Sequence, residues 1–239
     1  MSDFANYMPD SQDFQAGRNT NPNQSEVIRQ SLYDFILYPT AGTVLQPFFS
    51  QQIGQGIATA SGAVVGSAKT RWDTNLQLPN TLPSGKAVMV QSIEVFFFPG
   101  SSAAANTYVP WTANTFAAVA AAAQMAAAQD TSTFYLSGGL EFNVLDKNYV
   151  FETPLSQFPP QTSIGADVGI SSNSATTSEV GVIFPRALGR PYVFPMPFSL
   201  LPAQNFSVNL VWPAAVATGS GFNARVGVKL DGYTQRASQ

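Results

Sequence analysis

Phe206, Val208, Leu210 and Trp212 alternate with Ser207, Asn209 and Val211 near the end of the chain. After a run of small residues, Phe222, Ala224, Val226, Val228 and Leu230 alternate with Asn223, Arg225, Gly227, Lys229 and Asp231. Successive side chains of a strand point to opposite faces, so period-two alternation sends one set into a core and the other to water. In the second run the apolar residues share one face, while three charges, Asn223 and Gly227 share the other. The small residues Ala214 to Gly221 predict a flexible return, and hence a C-terminal hairpin with one wet face. A sheet with one apolar face must cover it with a second layer. That requirement dominates what this chain can become.

The same pattern recurs upstream. Leu32, Phe35, Ile36 and Leu37 predict one strand, and Val44, Leu45, Phe48 and Phe49 a second, with Pro39-Thr40-Ala41-Gly42 turning between them. Residues 50–68 read as a long loop. Its Gly54 and Gly56 lack the spacing and the strand–helix setting of a phosphate-binding loop. Trp72, Asn75 and Leu76 are expected beside the sheet. Ala87 to Phe98 is a strong strand, apolar on both faces near its end and therefore expected to be covered.

Thr112 to Asp130 is alanine-rich and predicts a helix, with Phe116, Val119, Ala120, Ala123 and Ala127 on one face and Thr112, Asn114 or Thr115 at its start. It lacks the basic face of a membrane-active helix and is expected across the sheet or at a subunit contact. A strand near Thr133–Leu136 and a turn at Ser137-Gly138-Gly139 follow. Leu140 to Val144 and Tyr149-Val150-Phe151 then make a hairpin reversed by Asp146-Lys147-Asn148. Ile164–Ile170 and Glu179–Phe184 are further strands, with the polar run Ser171 to Ser178 an exposed loop between them. The sum is eight to eleven strands and one helix.

The chain of 239 residues has no Cys and no His. That removes thiol nucleophiles, Cys/His zinc sites and His-based acid–base chemistry. No Ser-x-x-Lys supplies an alternative nucleophile pair, and no Asp-rich calcium loop is present. Glu141 with Asp146, or with Glu152 across the hairpin, is the nearest approach to a carboxylate pair. Trp72, Trp111 and Trp212 are candidates for a sugar or base platform, with at least one of them expected in the core. Arg186 and Arg190 read as solvated arginines flanking a turn. Asn23-Gln24-Ser25 and Asn205-Phe206-Ser207 match the glycosylation sequon; neither is taken as a modification site. No catalytic, cofactor-binding or metal-ligating residue emerges, and no enzyme activity is expected. Met1-Ser2-Asp3-Phe4 does not read as a signal peptide, and no stretch is apolar enough for a transmembrane helix.

Charged residues make up only 10% of the chain, against roughly 25% in typical soluble domains. A surface so weakly charged associates readily. The net charge of −3 argues against electrostatic binding of bulk nucleic acid. Residues 1–26 are polar and turn-rich but carry Phe4, Tyr7, Met8 and Phe14, which gain by burial in a partner. They are read as a flexible N-terminal arm, either a disordered tail or a segment that orders on a neighbouring subunit, ahead of a β domain at 27–239.

The polar arm, the β-rich body, the helix inserted between strands and the ending Leu200-Leu201-Pro202-Ala203-Gln204-Asn205-Phe206-Ser207-Val208 together resemble the jelly-roll capsid proteins of small icosahedral bacteriophages. The resemblance implies an all-β jelly-roll sandwich with a helical insertion at about 112–130. Leu82-Pro83 leading to Phe98-Pro99 echoes Leu201-Pro202 leading to Trp212-Pro213, which keeps a compact double roll as an alternative to a single one. The implied function is a structural virion protein, made in the host cytoplasm, that self-assembles as trimers or pentamers into a shell alongside other virion proteins. Many capsid arms are basic, whereas this one is acidic. Direct genome binding is therefore not expected, and another component or an internal membrane would separate shell from genome. The alternative is a carbohydrate- or receptor-binding sandwich, such as a phage spike or fibre domain.

Overall fold

The inward positions of the alternating segments build two antiparallel sheets that face each other. A computed structural model describes residues 26–56, 68–102, 108–111, 121–145, 147–158, 163–173, 176–186 and 189–236. In chain order the elements are β1 (Glu26–Arg29), β2 (Leu32–Tyr38), β3 (Leu45–Phe48), β4 (Lys86–Phe98), α1 (Ala121–Ser137), β5 (Gly139–Val144), β6 (Lys147–Pro154), β7 (Ser163–Asn173), β8 (Thr176–Arg186), β9 (Tyr192–Leu200), β10 (Phe206–Val211) and β11 (Ala224–Arg236). A 3-10 turn at Leu155–Gln157 follows β6.

One sheet has the order β2-β11-β4-β9, with β1 pairing the far end of β11 on the same side as β2. The other has the order β3-β10-β5-β6, and β7 and β8 form a separate two-stranded ribbon. The core lies between the two four-strand layers. Ile93, Val95 and Phe97 of β4 and Val226, Val228 and Leu230 of β11 meet Phe142, Val208 and Leu210, and all are buried. Burying side chains of this size contributes about 1.5–3 kcal/mol each.

Three expectations need correction. The first is the C-terminal hairpin. β10 and β11 are not neighbours: β10 pairs β3 and β5, whereas β11 pairs β2 and β4. Alternation shows that each run has a core face, but both sheets point a face at the same core. The linker between them crosses from one layer to the other. Trp212 is buried beneath it, and the Thr218 N–H donates to the Thr40 carbonyl at 3.0 Å.

The second is the strand near Thr133–Leu136, which is the last part of α1. Thr133 and Ser137 turn their hydroxyls back onto the carbonyls of Gln129 and Thr133, at 3.2 and 2.6 Å. That satisfies residues otherwise poor in helices. The expected helix start at 112–120 lies outside the described residues. Ala127, Asp130 and Phe134 continue its buried face. Phe134 enters the open end of the sandwich, 4.4 Å from the Phe97 ring centroid and 5.3 Å from that of Trp212. The Tyr135 hydroxyl donates to the Val95 carbonyl at 2.8 Å. The helix therefore plugs one end of the β body.

The third is the loop expected at Ser171 to Ser178. β7 and β8 continue through it in register, with Ser171 opposite Ser178 and Asn173 opposite Thr176. A ribbon ladder needs backbone pairing, not apolar side chains, so a polar run does not end it. The remaining strand expectations hold, and the hairpin pairs Glu141 with Glu152 and Phe142 with Phe151. Neither β1 nor β9 was anticipated; β1 begins at Glu26, inside the span read as arm, and residues 1–25 lie outside the described residues. The segment expected beside the sheet at Trp72, Asn75 and Leu76 is there as a clamp rather than a strand.

Candidate functional site

Ionisable groups are the first place to look for chemistry, and here they are spent on structure. Asp34 occupies a core-facing position of β2. Lys69 Nζ meets its Oδ1 at 2.7 Å, with 1% and 0% of the two side chains exposed. The Phe49 N–H donates to Oδ2 at 2.8 Å. Burial pushes the Asp34 carboxyl up, and the Lys69 ammonium opposes that rise.

Nearby, Asp73 accepts from the Thr70 N–H and hydroxyl at 2.9 and 2.8 Å and lies 3.9 Å from Arg225. Arg225 donates to the Trp72 carbonyl at 2.9 Å and stacks 4.3 Å from the Phe35 centroid. Burial lowers its pKa, with Asp73 opposing. The Phe35 N–H donates to the Asp73 carbonyl at 2.7 Å, and the Asn75 side chain accepts from the Tyr33 N–H at 3.1 Å. Residues 69–75 thus cover the free edge of β2, which would otherwise template pairing with another chain. Two positive and two negative charges balance there.

The other sequence candidates do not converge. Glu141 and Glu152 face each other across β5 and β6 on the outer side of their sheet. Asp146 lies outside the described residues. No group of three or more potential metal ligands exists among the described residues. Trp212 is core, Trp111 packs 6.1 Å from Phe222, and Trp72 is 81% exposed. They form no common platform. Arg190 is exposed, and Arg186 ends β8.

Two surface features remain. The outer face of the β2-β11-β4 sheet is aromatic. Phe35, Phe96 and Phe98 stack with centroids 5.8 to 6.4 Å apart, beside Tyr33. Gly227 lies beneath: a Cβ there would meet the Phe35 ring at 2.1 Å, so the ring sits on bare backbone. On β9 at the same sheet's edge, Met196 is 82% and Val193 67% exposed.

The second feature is a pocket of about 310 Å³ at the end of the sandwich opposite α1. It is walled by Pro79 and Asn80 from the β3–β4 connection, Asn143 and Leu145 at the β5–β6 turn, and Asn205, Phe206 and Ser207 entering β10. Among the described residues, four non-glycine residues have positive φ: Phe49 (61°), Asn80 (55°), Leu145 (56°) and Ala203 (58°), and Asn80 and Leu145 line the pocket. Backbone bonds link the three connections. Asn80 N–H donates to Phe49 O at 2.7 Å, Phe206 N–H to Asn80 O at 2.8 Å, and Leu145 N–H to Asn205 O at 2.8 Å. Sequence reasoning missed this pocket, because its walls come from three separate connections.

No protein-family model, curated protein or solved structure matches the chain.

Proposed function

We propose that this chain is the building block of an icosahedral viral shell, a single jelly-roll capsid protein of a small bacteriophage. The observation that carries this reading is the strand order. Set aside β1 and the β7–β8 ribbon, and number the other eight strands in sequence. The sheets then read 1-8-3-6 and 2-7-4-5. That order supports reading the sandwich as an eight-stranded jelly roll, in which two Greek keys are wound into one sandwich. A double roll needs about sixteen strands, twice what these layers hold. The helix occupies the connection between the third and fourth strands, and the ribbon that between the fifth and sixth.

A jelly roll hosts many functions, so the surface must decide. Four of the chain's eleven Lys and Arg side chains are held in ion pairs: Arg29 with Asp231, Lys69 with Asp34, Arg225 with Asp73 and Lys229 with Glu94. The chain's net charge of −3 gives a nucleic acid backbone little net attraction, and favours partners that are copies of this chain and other virion proteins. The aromatic sheet face, with exposed Trp72, Met196 and Val193, supplies apolar area for subunit contacts. No helix among the described residues is long and apolar enough to cross a membrane. Contact with an internal membrane would therefore run through the subunit surface or through another component.

Size-exclusion with light scattering and electron microscopy of the purified full-length chain tests the proposal. Trimers, pentamers or closed particles are expected. A monomer that persists at high concentration contradicts it.

A further inference from the structure

We infer that the pocket between Asn80, Asn143 and Asn205 is a binding site for a neutral sugar. None of its described lining residues is ionisable, so no charge among them favours a phosphate, a carboxylate or an ammonium group. What it offers instead is the side-chain amides of Asn80 and Asn205 and the Ser207 hydroxyl. Each amide both donates and accepts hydrogen bonds, which matches the dual character of vicinal sugar hydroxyls. The backbone groups of Asn80 and Asn205 are already engaged: Asn80 by Phe49 and Phe206, Asn205 by Leu145 and by its bridge to Thr81. Their side-chain amides carry no hydrogen bond among the described residues and remain available. The volume, about 310 Å³, stands at the small end for ligand sites and admits one ring-sized ligand.

Leu145 supplies the second, independent observation. It sits at φ 56° in the β5–β6 turn, where glycine or asparagine is relaxed and a leucine is strained. Its side chain is 57% exposed, so little burial offsets that strain. Strain held at a surface turn, with left-handed Asn80 across the same pocket, marks a position kept for what it touches. Leu145 and exposed Pro79 give the pocket an apolar rim. The C–H face of a sugar ring packs on such a rim while its hydroxyls meet the amides. On a shell subunit this site would take up host surface glycan, but the inference stands on the pocket and does not need the shell.

The test is saturation-transfer NMR and titration of the full-length protein with the methyl glycosides of glucose, galactose, mannose and N-acetylglucosamine. At least one is expected to bind with a Kd on the order of 1 mM. Asn205→Ala removes an amide and is expected to weaken binding about tenfold. Leu145→Gly relaxes the turn and removes the rim. It is expected to leave the Tm at or above the parent's while also weakening binding about tenfold. The inference is overturned if no neutral glycoside binds well above that concentration, or if Leu145→Gly and Asn205→Ala bind like the parent. It also fails if sialic acid binds in preference to every neutral sugar, or if a synthetic peptide of residues 1–25 occupies the pocket and the sugars do not.

Discussion

Lys69→Met removes one charge from the core and little else, since methionine keeps an unbranched apolar stem. Asp34 then keeps the Phe49 N–H at 2.8 Å but loses the ammonium at 2.7 Å. With both side chains at most 1% exposed, water does not replace the lost partner. Breaking a buried pair from one side costs about 3–5 kcal/mol. For a domain of this size, each kcal/mol lowers Tm by about 2–4 °C, so a fall of about 6–20 °C is expected. The sign of the charge supplies a second readout. Burial already raises the Asp34 pKa against the pull of Lys69, and without Lys69 it rises further. The cost of the buried carboxylate is complete above its folded pKa and shrinks as pH falls from there to the unfolded value of about 3.9, because in that window the folded state holds a proton that the unfolded chain releases. The gap between variant and parent should therefore narrow as pH is lowered. Thermal unfolding followed by circular dichroism at several pH values measures both effects. Asp34→Asn with Lys69→Met, a neutral pair, should recover part of the loss and abolish its pH dependence. A single variant that melts within about 1 °C of the parent at every pH would refute the reasoning that this pair clamps residues 69–75 onto β2.

Phe134→Ala empties the aromatic plug between Phe97, Tyr38 and Trp212 and should cost about 3–5 kcal/mol, with hydrogen exchange quickening in α1 before the sheets. Gly227→Ala drives a methyl into the Phe35 ring and should cost about 1–3 kcal/mol in denaturant titration, partly rescued by Phe35→Ala. Alkaline unfolding should follow from the buried tyrosines. Burial pushes Tyr38 and Tyr108 up to about 12, and Tyr135 higher still. Unfolded tyrosines titrate near 10, so this stability is complete below about pH 10 and lost as pH rises to about 12. Tyr38→Phe should flatten that loss, read as stability against pH.

Much of the β body is legible in the sequence because one-sided burial writes itself as alternation. Phe206 to Trp212 and Ala224 to Leu230 are strands with the inward residues that the pattern assigns. Partner choice is not written there. Both runs face the same core, so nothing local separates a hairpin from a crossover between sheets. Thr133 to Leu136 carries β-branched and aromatic residues that suit a strand, yet Phe134 and Tyr135 gain more by entering the sandwich from a helix. Nothing local in the sequence marks Asp34. Its role depends on Lys69, thirty-five residues away, and only the folded connection brings them together. Asn80, Asn143 and Asn205 are ordinary polar residues in sequence, and became a candidate site only when three turns met. The absence of any His- or Cys-based centre was legible from composition alone.

The central claim is that this sandwich exists to contact copies of itself. Sedimentation velocity of the purified full-length chain across a wide concentration range, with particles imaged by cryo-electron microscopy, addresses it most directly. The account predicts discrete oligomers growing into closed shells whose subunit density fits the 1-8-3-6 and 2-7-4-5 sheets. A single species at monomer mass throughout, with no particles on the grid, would contradict it.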